Sequence, residues 1–166
     1  SKGRIAVIHN GIIENYEALR DLLTHRGHNL VSETDTGVLA HFIEEVQLST
    51  GLDLPDAVRT ALKEVVGAYA LVVIDQRHPD RLIAARKSSP LVIGVGQNNE
   101  FFVGSDATPI VAHTKNVIYL EDEEVATMHR SGELTIRTIG DTVVTPEIHA
   151  IAVSYTHLTL PTRLMV

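Results

Sequence analysis

The sequence predicts an α+β fold whose β portion is antiparallel. Three observations carry this reading: helical apolar spacing over most of residues 12–65, short apolar runs from Tyr69 onward, and turn-forming clusters between those runs. No internal repeat and no low-complexity linker divides the 166 residues, a length that one domain with an adequate core accommodates.

Taken in order, the apolar run Ile5 to Ile8 predicts a strand over 4–8. It meets Asn10-Gly11, a pair that usually marks a hairpin turn, and then Ile12, Ile13, Tyr16, Leu19, Leu22 and Leu23 at helical spacing. A helix over about 12–26, closed by Gly27, is therefore expected directly after the Asn-Gly pair. A short strand at 29–31 follows, then a helix over about 36–48 from Val38, Leu39, Phe42, Ile43 and Val46. Leu54, Ala57, Val58, Ala61, Leu62 and Val65 predict another over about 54–65.

The remaining elements are strands. AYALVVID, RLIAAR, LVIGVG, FFVGS, VIYL, EVATMH and LTIRT are apolar runs of strand length, and His78-Pro79-Asp80, Gln97 to Glu100 and Arg130 to Glu133 supply turns between antiparallel neighbours. The final stretch, Ala152 to Val166, lacks acidic residues and either period, and SYTHLTLPT resembles a translated sequencing adapter. It is read as a non-native tail, leaving 1–151 as the domain.

Composition narrows the function. A net charge of -7 disfavours nucleic acid and anionic membranes as partners, since both call for a basic face. No apolar stretch is long enough to span a bilayer and no signal peptide is visible, so a cytoplasmic location is expected. The absence of cysteine removes disulfides, thiolate metal sites and a cysteine nucleophile from these residues. None of the nine histidines lies in H-x-x-x-H or H-E-x-x-H spacing, and His25 and His28 flank Gly27 at a helix end. Neither a metal nor a cofactor is expected. Glu121 to Glu124 reads as a solvated turn without the pattern of a calcium loop, and Gly94 and Gly96 lack the following helix of a phosphate loop.

Two places carry chemistry. Asn10-Gly11, at the junction of strand and helix, can present a side-chain amide and a backbone N–H side by side, the donor pair an oxyanion requires. Ser32-Glu33-Thr34-Asp35-Thr36 crowds hydroxyl and carboxylate groups at a helix start. Thr34 or Asp35 would cap that helix, and a carboxylate left over could meet an ammonium ligand.

HNGIIENYEALR, SETDT, GAYALVVID, HPDRLIAARKSSPLVIGVG and SDATPIV, in this order, resemble the glutaminase domain of the isomerising glutamine–fructose-6-phosphate aminotransferases, which are class II glutamine amidotransferases. The resemblance covers roughly residues 4–150. It implies an N-terminal-nucleophile hydrolase fold, antiparallel sheets between helical layers, incomplete here at its amino terminus. In that family an N-terminal cysteine attacks the glutamine amide. The oxyanion is held by an asparagine side chain and a glycine N–H, matching Asn10 and Gly11, while an aspartate matching Asp35 receives the substrate ammonium. The family's Cys-Gly-Ile start and Arg-Trp-Ala-Thr-His-Gly segment have no counterpart in this sequence. The resemblance therefore implies an inactive fragment of an enzyme that makes glucosamine 6-phosphate. Its partners would be glutamine, fructose 6-phosphate held by absent sugar-isomerase domains, and a second subunit in a homodimer. Alternatives are the glutaminase domain of a sister enzyme such as amidophosphoribosyltransferase, or a non-catalytic α/β binding domain.

Overall fold

The computed structural model describes residues 4–31 and 34–151. The expected tail, Ala152 to Val166, lies outside the described residues, as do Ser32 and Glu33. Three helices, α1 (Tyr16–His25), α2 (Asp35–Thr50) and α3 (Leu54–Leu62), cover one face of a six-stranded antiparallel sheet. Its strand order is β1-β2-β3-β7-β8-β9, with β1 Ile5–Ile13, β2 Gly67–Asp75, β3 Arg81–Lys87, β7 Glu124–His129, β8 Leu134–Thr138 and β9 Val143–Val144. A four-stranded sheet packs on the other face in the order β10-β6-β4-β5: His149–Ala150, Asn116–Tyr119, Val92–Val95 and Phe101–Gly104.

Two-residue alternation on β2 sorts these layers. Tyr69, Leu71 and Val73 pack among Leu39, Ile43, Val58 and Leu62 of the helices, whereas Ala70 and Val72 join Ile93, Ile118, Leu120 and Met128 between the sheets. The outer face of the smaller sheet buries Val92 and Val117 against Ile110 of a 3₁₀ turn, Ile110–Ala112. Gly94, one of the two phosphate-loop glycines considered above, lies within β4; a Cβ there would stand 2.5 Å from Ile110 Cγ2, so its role is close packing.

The start of the chain departs from expectation. The strand does not stop at Ile8: β1 runs through Asn10-Gly11 to Ile13, pairing continuously with β2 from Ile5↔Asp75 to Ile13↔Gly67. An Asn-Gly turn folds a strand back on its immediate successor, but here the available partner lies far downstream, and nine ladder pairs outweigh the local turn preference. The first helix accordingly begins at Tyr16. Asn15 latches that junction, its amide donating to Glu64 O (2.7 Å) and its Oδ1 accepting from Val66 N–H (3.0 Å). Residues 29–31 form no strand, for the chain leaves α1 through Gly27 (φ 86°) without reaching a sheet edge. The seven later strands appear where expected, with Asn98, Asn99 and Gly132 in positive-φ turn conformations. The two-residue strands β9 and β10 are too short to show a period in the sequence.

Asp53 caps α3, accepting from Leu54 N–H, and also pairs two-pronged with Arg81 at the start of β3. The Arg81 hydrogen bonds pull its carboxyl from the ordinary 3.8 to about 2. This contribution to stability is complete above about pH 4 and is lost as pH falls through about 2. Because the Asp53 side chain is 56% exposed, the pair is worth at most about 1 kcal/mol. Asp53→Asn, which still caps, is expected to lower stability by about 0.5–1 kcal/mol at pH 7 and by progressively less below about pH 3. Urea unfolding at several pH values measures this; an equal loss throughout would remove the ion pair with Arg81 as its cause.

Candidate active site

The site forms where the last residues of β1 meet the start of α2. Thr34, not Asp35, caps α2: its Oγ1 accepts from Gly37 N–H at 3.2 Å. Asp35 thereby has a different role. Its half-buried carboxylate crosses to β1, where Oδ2 accepts from Ile13 N–H at 3.3 Å. One residue further, Thr36 Oγ1 lies 3.4 Å from His9 Nδ1. Burial pushes the His9 imidazole below its ordinary range, against the upward pull of Asp35. His9 went unnoticed in the sequence because its partners become visible only when α2 is laid against β1.

Asn10 sits on the opposite face of the strand. Its exposed side chain lines a small hollow with Ile8, Ala70, Val72, Leu91 and Ser105, at the margin of the space between the sheets. Gly11 follows with φ 117°, in register with Tyr69. A Cβ at Gly11 would lie 2.3 Å from Ala68 O, and one at Gly67 would lie 2.2 Å from Ile12 O, so the two strands touch backbone to backbone at a pair of glycines. This contact explains the glycine that the sequence presented as a turn signal. Asn10, Gly11 and Asp35, the three residues singled out from sequence, thus occupy one strand end and the helix start bonded to it.

Among the described residues, β1 borders the six-stranded sheet on one side only. Asn10 and Gly11 lie on that strand, and Asp35 is bonded to it at Ile13. Comparison with known proteins defines the class. The chain belongs to the glutamine amidotransferase domain family, whose model matches residues 1–112. More particularly, it is 49% identical over 148 residues to the isomerising glutamine–fructose-6-phosphate aminotransferase of Bacteroides thetaiotaomicron, a match covering 89% of this chain and 24% of that protein. The same enzyme of Methanothermobacter thermautotrophicus is 44% identical over 149 residues, covering 90% and 25%. The chain therefore spans about a quarter of the length of these curated relatives.

The structure resembles glutamine phosphoribosylpyrophosphate amidotransferase from B. subtilis with a TM-score of 0.70 at 24% identity, over 86% of this chain and 31% of that one. The fold is that of the N-terminal-nucleophile glutamine amidotransferases, as the sequence led us to expect. No helix among the described residues is long and apolar enough to cross a membrane.

Proposed function

We propose that residues 1–151 are part of the glutamine-hydrolysing domain of a glutamine–fructose-6-phosphate aminotransferase, with 152–166 a non-native tail. In this reading the complete enzyme works in the cytoplasm as a homodimer, and further domains use the released ammonia to convert fructose 6-phosphate to glucosamine 6-phosphate. The cysteine nucleophile belongs to a part of the domain not contained in these residues, so this chain alone hydrolyses no glutamine. Identities of 44–50% to the fructose-6-phosphate enzymes favour this acceptor over that of the phosphoribosylpyrophosphate enzyme, whose likeness at 24% speaks for the fold alone.

The observation that carries the proposal is the division of labour at the start of α2, where Thr34 caps and Asp35 reaches β1. When a cysteine thiolate adds to the side-chain carbonyl of glutamine, the new oxyanion takes the Asn10 amide and the Gly11 N–H as donors. Alternation along an edge strand turns the N–H groups of Gly11 and Ile13 to the same side, and Ile13 is the residue whose N–H Asp35 accepts. The carboxylate so placed takes the α-ammonium of free glutamine and rejects glutaminyl residues within peptides, which lack that charge.

The test is Asp35→Asn in the complete, cysteine-bearing enzyme. An ammonium anchor acts already in the ground state, so KM for glutamine is expected to rise at least about tenfold while turnover with free ammonia is spared. Stability should stay within about 0.5 kcal/mol, because Thr34 holds the cap and an asparagine oxygen still accepts from Ile13 N–H. A normal KM would remove Asp35 from the substrate site.

A further inference from the structure

On the side of α2 away from its capped start, a second cluster forms that the proposed reaction does not use. His28, which follows α1, and His41 of α2 bring their Nδ1 atoms to 3.1 Å, with the rings edge to face. Glu44, one helical turn beyond His41 and buried, completes a set of three ligand atoms that all lie within 4.8 Å of one another. Glu45 takes the far nitrogen of His28, its Oε2 lying 2.7 Å from Nε2.

We propose that His28, His41 and Glu44 bind a divalent transition ion of the zinc class, with Glu45 as the residue that positions His28. Two imidazole nitrogens at about 2.0–2.1 Å from a tetrahedral ion stand about 3.3 Å apart, close to the separation found here without any movement. Two imidazoles and one carboxylate suit zinc and its neighbours and suit calcium or magnesium poorly. A carboxylate on the outer nitrogen of a ligating histidine fixes the ring and its tautomer and raises its basicity, which is the part Glu45 plays. Two cations stand nearby: Arg4 Nη1 is 3.7 Å from Glu44 Oε1, and Arg26 Nη1 is 3.1 Å from Glu45 Oε1. Binding requires the Glu44 carboxylate to turn from Arg4 toward the two nitrogens.

Such an ion would tie the segment after α1 to the middle of α2, whose first turn carries Asp35. Its role is to hold the helical layer, separate from the glutamine chemistry. The spacing rules applied to the sequence overlook it because His28 is supplied from a different element than the His41 and Glu44 pair.

The 166-residue chain, stripped with a chelator, is titrated with Zn2+ by calorimetry and with Co2+ by visible absorption. One ion per chain is expected, with cobalt bands of a tetrahedral or five-coordinate nitrogen and oxygen site, which the lack of cysteine keeps free of thiolate absorption. Saturating zinc should raise Tm by roughly 5 °C or more. Each of His28→Gln, His41→Gln and Glu44→Gln should weaken binding at least about a hundredfold, and Glu45→Gln about tenfold to a hundredfold with the stoichiometry kept. Circular dichroism confirms that each variant is folded, and Glu45→Gln, which removes no ligand, reports even where a ligand variant does not fold. With nine histidines present, His25→Ala, at an exposed position, serves as the control and should change nothing. Absence of saturable binding, unchanged affinity in the Glu45 and ligand variants, or loss through His25→Ala would overturn the site.

Discussion

Gly11→Ala is expected to destabilise the fold by about 3 kcal/mol or more, a large share of the roughly 5–15 kcal/mol that holds a domain of this size together. Two costs add. An L-residue at φ 117° is strained in any surroundings, and the new methyl would stand 2.3 Å from Ala68 O, a backbone atom fixed by the pairing of β1 with β2. Relief requires the strands to separate where Gly67 meets Ile12 from the other side. Gly51→Ala supplies the comparison: its φ of 72° is also positive, yet nothing lies within 4 Å of its added Cβ, and a loss of about 1 kcal/mol is expected. Urea unfolding of the two variants measures the difference. Equal losses would mean that the β1 and β2 backbones are not in the close contact described.

Asn10→Ala, in the complete enzyme, is expected to lower kcat for glutamine hydrolysis about a hundredfold or more, about 3 kcal/mol of transition-state stabilisation, with KM nearly unchanged. An oxyanion donor acts once charge develops on the amide oxygen, so the ground-state complex hardly feels its loss. The Asn10 side chain is exposed at the strand's surface, and its removal leaves no buried hole, so stability should change little. Turnover with free ammonia should be spared. Steady-state kinetics of Asn10→Ala beside Asp35→Asn separate the two roles, since one variant should lose kcat and the other gain KM. A rise in KM alone for Asn10→Ala would make it a binding residue and leave the oxyanion without its side-chain donor.

Much of this protein was legible in its sequence, for reasons that differ from element to element. Runs such as AYALVVID and EVATMH are apolar on both faces because both faces are covered, by helices on one side and by the second sheet on the other, and this identifies them as strands without knowledge of their partners. The helix over 35–50 was set by its own apolar spacing and by a hydroxyl at its start, both local properties. Asn10, Gly11 and Asp35 could be singled out because each stands at an expected element boundary, where amide, glycine and carboxylate residues turn the chain, cap a helix or meet a ligand, and the start of α2 needs only one cap.

What the tertiary structure alone decided is whatever depends on a distant partner. Asn10-Gly11 reads locally as a turn, and only pairing with β2 makes it the interior of a strand whose glycine admits the neighbouring backbone. Thr34 and Asp35 are equivalent caps on paper; the approach of Ile13 N–H to Asp35 assigns the cap to one and leaves the other facing β1. His28 and His41 show no metal spacing along the chain, and the packing of α1 against α2 brings their nitrogens to 3.1 Å. Local preferences are worth about 1 kcal/mol or less per residue, and a ladder or a packed helix sums many such terms, so where the two conflict the distant partner prevails.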